Sequence, residues 1–260
     1  MFFKKKFDLV ISLGEDCACS SYLRRFNLQE YSYPFDWLTR AKLMTRVDLL
    51  ANDFEGFLEK ENVHPIEKPA GNVDENADYY EDRKTDFYFY HDFPAGMPFE
   101  ESYAKVKAKY DRRIKRMYDL IFKSKSVLFV WWSRDKHTSS DEAATCFKKL
   151  KNKFKGKDVY MLVVEYEKTP TEQYLENNHL LISRFDNISY KQNPKWTETM
   201  GNESNNIRLF EKIRKKRSLK QNIGIMLFFV LKFFVSLLPN KKLRHAYKKK
   251  LRIKFYNAKL

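Results

Sequence analysis

Apolar residues in this chain alternate between short unbroken runs and longer stretches where they recur every three or four positions. Phe7-Asp-Leu-Val-Ile-Ser-Leu13 is one such run, closed by Gly14, and predicts a buried strand. Ser126–Trp132, Val159–Val164 and His179–Ser183 predict three more, and the aromatic-rich Asp86–Phe93 a fifth. Helical spacing covers Cys17–Phe26, then Thr39–Leu58 with Leu43, Val47, Leu50, Phe54 and Phe57 on one face. A long helix is expected over Phe99–Phe122, and another from a cap at Asp141 to Phe154. Residues 60–84 are polar and hold Pro65, Pro69 and Gly71, so they predict a surface loop. This alternation predicts an α/β fold: a mostly parallel sheet with helices on both faces, a three-layer arrangement of Rossmann-like or esterase-like kind. Ligands of such sheets sit beyond the carboxyl ends of the strands. That rule nominates Gly14–Cys17, Tyr90–Phe93 and Ser133–Lys136.

The pattern changes near the C-terminus. Ile223–Leu238 is apolar over 16 positions apart from Lys232 and small polar residues, and Pro239 ends it. That is shorter than the roughly 20 residues needed to cross a bilayer. Lysine-rich runs flank it at 212–220 and 241–254. The combination predicts an amphipathic basic helix in a membrane interface, with apolar side chains in the acyl boundary and cations at anionic headgroups. The alternative is a helix packed on the core with solvated charges. The continuous Phe/Leu/Val block argues against a nucleic-acid-binding arm.

Charge sharpens this division. Of the 50 Lys and Arg, 17 lie in residues 208–260, against the single acid Glu211. The whole net charge of +16 therefore resides there, and residues 1–207 are balanced. Two units are expected: an α/β domain over 1–207 and a membrane-associating tail over 208–260. Cys17, Cys19 and Cys146 make no disulfide framework. Phe7–Leu13 is too short for a secretion signal, so the expected location is cytoplasmic, peripheral on the inner face of the membrane.

Chemistry concentrates in Ser12-Leu-Gly-Glu-Asp-Cys17. A strand ends, Gly14 turns the chain, and a cysteine lands at a helix start, where free N–H groups and the helix dipole favour thiolate. Glu15 and Asp16 oppose that effect. A small buried cysteine is the plainer alternative. His91, at the end of a predicted strand, reaches Cys17 if both strands are parallel and close, and would then act as general base. Asp92, Asp86 or Asp36 would orient it, and His137 is the second candidate base. Asp36, within Tyr33-Pro-Phe-Asp-Trp-Leu38, would serve equally as a turn or core carboxylate. Arg134 would bind an anionic group or pair with Asp135 or Glu142. The substrate-contacting set is then Gly14, Glu15, Asp16, Trp37 and Arg134, with N–H groups around Asp16–Ala18 as oxyanion donors. The Cys17-x-Cys19 spacing is wrong for a zinc pair, so no metal is expected. Gly14 stands alone, so a phosphate-cradling loop is unsupported and no cofactor is expected.

Ser12-Leu-Gly-x-x-Cys17, Leu23-Arg-Arg25, Pro34-Phe-Asp-Trp-Leu38 and His91-Asp-Phe93 together resemble a bacterial family of uncharacterised proteins that bears the name putative papain-like cysteine peptidase. The resemblance implies a nucleophile at Cys17 and a base at His91. The strand–turn–Cys–helix opening departs from the papain fold and looks more like esterase-type hydrolases. The Leu-Leu-Pro-x-Lys-Lys-Leu-Arg segment at 237–244 looks like the C-termini of bacterial surface-polysaccharide enzymes, an analogy only. Three readings stay open. The first is a cysteine hydrolase or acyl-transfer enzyme acting on a peptide, acyl or glycan substrate. The second is a glycan-pathway transferase or binding protein in which Cys17 is structural and Asp36, His91 and Arg134 hold a sugar or phosphate. The third is a membrane scaffold that needs only the tail.

Overall fold

A computed structural model describes residues 2–68, 74–134, 138–187 and 203–256. The chain is a mixed α/β protein with several helices and sheets. It opens with β1 (Lys6–Phe7) and β2 (Leu9–Ser12), then α1 (Cys17–Arg25). A long excursion follows: β3 (Leu38–Thr39), α2 (Leu43–Ala51), β4 (Val63–Pro65), β5 (Ala77–Asp82), β6 (Phe87–Pro94) and α3 (Phe99–Lys123). The chain then returns through β7 (Ser126–Trp132), α4 (Ser140–Lys153), β8 (Asp158–Tyr166), β9 (Thr171–Leu175) and β10 (Leu180–Phe185). It ends with α5 (Glu203–Phe210), β11 (Arg214–Lys215), α6 (Leu219–Ser236) and α7 (Lys241–Tyr256).

The main sheet has the order β2-β7-β8-β10-β9. Its first four strands are parallel, and β9 runs antiparallel along β10. Successive side chains on a strand point to opposite faces, and β7 is buried along its whole length. Val127, Phe129 and Trp131 pack with α2, α3 and α4. Leu128, Val130 and Trp132 pack with α1, Leu209, Phe210 and Ile213. Tyr22 of α1 stacks on Phe210 at 5.2 Å between centroids. The body's packing thus continues past residue 207, and β11 pairs with β1.

The second sheet, β3-β6-β5-β4, is antiparallel throughout. It corrects three expectations. The aromatic strand at 86–93 belongs here and not to the parallel sheet. Part of the expected loop 60–84 forms β4 and β5. The expected helix over Thr39–Leu58 is helical only from Leu43 to Ala51. Beyond it, Asp53, Phe54, Gly56 and Leu58 take positive φ. These turns let Phe54 stack on Phe35 and set Phe57 edge-on to Phe87. The α4 cap is Ser139, whose hydroxyl accepts from Glu142 N, and not Asp141. The tail is two helices, not one, broken around Pro239. Among the described residues, no helix is long and apolar enough to cross a membrane.

Candidate functional site at the strand tips

Past the end of β2 the chain stays tied to β7: Leu13 N donates to Val130 O (2.7 Å) and Glu15 N to Trp132 O (2.9 Å). Gly14 is required by a close approach. A Cβ there would lie 2.1 Å from Cys19 Cβ, which is forbidden contact. Asp16 caps α1, its Oδ1 accepting from Ala18 N at 2.7 Å. Cys17 is therefore the first helical residue, and it is partly exposed, whereas Cys19 and Cys146 are buried. Arg134 Nη2 pairs with Asp16 Oδ2 at 3.1 Å, and its guanidinium lies over Trp132. Of the other carboxylates considered for Arg134, Asp135 lies outside the described residues. Ser133 Oγ donates to Glu15 Oε2 at 2.7 Å. Underneath, the fully buried Arg46 donates from Nη2 to Glu15 O and Leu38 O, and from Nε to Ala41 O, each at 3.1 Å. Gly14, Glu15, Asp16 and Arg134 thus gather around Cys17.

The electrostatics differ from the expectation. Burial, followed by the charge of Asp16, pushes the Cys17 thiol up to about 11, with Arg134 pulling the other way. At neutral pH it rests as a thiol, because desolvating an anion outweighs what the helix start offers. Of the three expected oxyanion donors, Ala18 N–H is taken by Asp16.

His91 stands elsewhere. Its Nδ1 bonds Asp74 Oδ2 at 3.0 Å, and its ring meets Trp37 edge-on at 6.3 Å. Trp37 in turn carries Arg24 over its face at 5.3 Å. Arg24 lies two turns along α1 from Cys17, about 10 Å by helical rise. Among the described residues, Cys17 makes no hydrogen bond to an imidazole. The parallel-strand condition for bringing His91 to Cys17 fails because β6 is in the antiparallel sheet.

Nor do the expected carboxylates orient His91. Asp92 points to the opposite side of the strand and accepts from Lys109 Nζ (2.5 Å) and Tyr110 Oη (2.8 Å). Asp36 is fully buried and accepts from Gln29 Nε2 (2.5 Å), Arg24 Nη2 (2.8 Å) and Tyr33 N (3.0 Å). Burial raises its carboxyl above the usual range despite Arg24. Asp86 pairs with Arg40 at 2.8 Å. His137 lies outside the described residues.

A family described as Putative papain-like cysteine peptidase (DUF1796) matches residues 8–169. The chain belongs to that family. An uncharacterised protein of Acanthamoeba polyphaga mimivirus is 29% identical over 134 residues, 47% of this chain. The matched part spans 60% of that relative, less than two thirds of its length. No solved structure matches.

The family span runs from β2 into the residues after β8, and so takes in Cys17, Asp36, His91 and Arg134 and stops well before α6. It also takes in Trp131, Thr138 and Glu165 of a polar centre that sequence reasoning missed, whose Arg184 and Asn187 lie beyond the matched span. Glu165, fully buried at the tip of β8, accepts from Trp131 Nε1 (3.1 Å), Thr138 N (2.9 Å) and Thr138 Oγ1 (2.5 Å). Arg184 lies 3.5 Å from it and donates to Thr138 O at 2.6 Å. Asn187 Nδ2 holds Ser133 O at 2.8 Å. Ser133 and Thr138, which flank Arg134 and the segment that follows it, are thus held from β8, from β10 and from the residues just after it. The signal available was an acid inside an otherwise apolar run, Val163-Val-Glu-Tyr166. Among the described residues, no three His, Cys, Asp or Glu side chains converge as metal ligands.

Proposed function

We propose that this family member is a cysteine-nucleophile hydrolase or acyl-transfer enzyme that works at the cytoplasmic face of a membrane. The observation that carries the reading is the placement of Cys17. It is the one partly exposed thiol of the three, at the first position of α1, beyond a parallel strand and beside Arg134. The setting is esterase-like, with strand, glycine, nucleophile and helix in succession. A base removes the Sγ proton as sulfur bonds the carbonyl carbon. The tetrahedral oxyanion meets the N–H groups of Asp16 and Cys17, and the leaving group departs with the proton the base took. Water or an acceptor hydroxyl then releases the acyl group from the thioester. Arg134 favours the thiolate that this requires. The base is an imidazole: His91, moving off Asp74, or His137.

The membrane part rests on α6, where large apolar side chains from Leu219 to Leu237 stand exposed, next to the lysine-rich α7. A contiguous row of exposed large apolar side chains rimmed by cations is the kind of surface that marks an interaction or membrane site. With amphipathic anchoring, cations sit at anionic headgroups.

A second reading is favoured by a specific observation: the thiol is pushed up to about 11 and His91 is bonded to Asp74. On that reading Cys17 is structural, and Arg134 with its neighbours holds a sugar or phosphate of a glycan pathway. The deciding experiment is alkylation of Cys17 across pH in the full chain, with His91→Ala and His137→Ala compared. An apparent pKa well below 11 that one of these variants raises supports the hydrolase. Slow labelling, indifferent to both variants, defeats it and leaves the second reading.

A further inference from the structure

The short ladder between β1 and β11 sets Lys6 beside Arg214 and Phe7 beside Lys215. Phe7 is buried, so strand alternation turns Lys6 outward, and Arg214 is exposed next to it. Like charges at neighbouring positions of two strands repel. Two adjoining hollows of about 630 and 690 Å³ share Glu211 and Arg214. Lys4, Arg208 and Lys212 line the first and Lys6 the second.

Other cations of this groove are tied down, Lys212 with its Nζ over the Phe3 ring at 5.5 Å. Lys215 Nζ bonds Glu30 at 2.8 Å, Lys216 Nζ bonds Asp8 at 3.1 Å, and Arg217 Nη2 donates to Asn27 O at 2.8 Å. Lys4, Lys6, Arg208 and Arg214 have no acidic partner among the described residues, and Glu211 is the one acid lining the groove. The second hollow reaches Asn222 in the first turn of α6, where the exposed apolar residues begin with Leu219 and Ile223.

We infer that this cationic groove at the root of α6 binds the phosphate of a membrane lipid whose headgroup carries more than one negative charge. The inference rests on the membrane reading above and goes beyond it by naming the headgroup. With α6 in the acyl boundary, the groove lies at headgroup depth. Four free cations against one acid exceed what a singly charged phosphodiester neutralises. A phosphomonoester supplies a second charge and further acceptor oxygens for Arg214 and Arg208. The apolar helix adjoining the groove points to a lipid as the source and not to free phosphate.

The test is co-sedimentation of the full chain with phosphatidylcholine vesicles that contain phosphatidic acid or phosphatidylglycerol at matched surface charge. Binding to phosphatidic acid is expected to be about tenfold tighter, from cations acting on one phosphate. Lys6→Gln with Arg214→Gln erases that preference but still binds phosphatidylglycerol. Lys241→Gln with Lys242→Gln removes the same charge from α7, weakens both and keeps the ratio. Equal binding of the unaltered protein at matched charge overturns the inference, as does a preference that survives the groove substitutions. Loss of the preference to millimolar glycerol phosphate overturns the lipid as the source. Failure to sediment with either vesicle sinks the membrane reading itself.

Discussion

At the strand tips of the body, Glu165, Arg46 and Asp36 are fully buried, and each is met by hydrogen bonds from more than one segment. In α6, by contrast, nine large apolar side chains are exposed, and Phe228 is the large apolar residue that is buried. The body places charge in its interior and bonds most of it, leaving Asp36 Oδ1 and Arg46 Nη1 without a hydrogen-bond partner among the described residues. The helix places hydrocarbon on its exterior and leaves it uncovered. Both arrangements are costly for a protein in water, and they teach different things. A buried charge bonded from several segments fixes geometry, as Arg46 does by holding Glu15 O, Leu38 O and Ala41 O together. An uncovered apolar helix fixes nothing by itself and gains stability only when something apolar meets it.

The comparison is broken most severely by removing a buried charge. Glu165→Ala leaves Trp131 and Thr138 without their acceptor and Arg184 without its counter-charge, and is expected to cost about 3–5 kcal/mol, or roughly 10 °C in Tm. Thermal unfolding checks it, and a loss within 1 °C would mean that the centre is not bracing the tips. Arg46→Met strands three buried carbonyls and costs about 3 kcal/mol in the same assay. Cys17→Ala, at a partly exposed site, is expected to cost under about 1 kcal/mol while abolishing thiol chemistry. In α6, Phe233→Ser with Phe234→Ser should leave the body's unfolding unchanged while raising solubility, which turbidity against concentration would show.

The smallest effect is a pH dependence. The His91 bond holds the Asp74 carboxyl below the usual range. Its contribution is therefore complete above the ordinary carboxylate pKa and is lost as pH falls through the lower folded value. His91→Ala should flatten that acid limb in Tm measured from pH 6 down to pH 2, by a small amount because both groups are partly exposed.

Much of the parallel sheet was legible because its strands are short apolar runs buried on both faces, such as Val127–Trp132. Gly14, Asp16, Cys17 and Arg134 were legible as neighbours because strand tips bring chain-local segments together. The antiparallel sheet was not. Residues 39–58 keep helical spacing past Ala51, yet Phe54 and Phe57 reach the core through turns at positive φ. Asp74 meets His91 only because β5 and β6 pair in register, Ala77 opposite Pro94, which no local pattern encodes. Asp92 follows His91 in sequence, and that adjacency is what excludes it, since the pleat sends the two to opposite faces.

The strands of the parallel sheet lie in chain order, with β2 at one edge and its sheet neighbour β7 more than a hundred residues later. During synthesis, at about 5–20 residues per second, β2 waits on the order of ten seconds for that neighbour to emerge. Until then Val10, Ile11 and the Cys17 thiol have no sheet to fold onto. The β2 side of the candidate site is thus made well before the β7 side that closes on it, and the nascent chain carries an unshielded apolar strand and a free thiol over that interval.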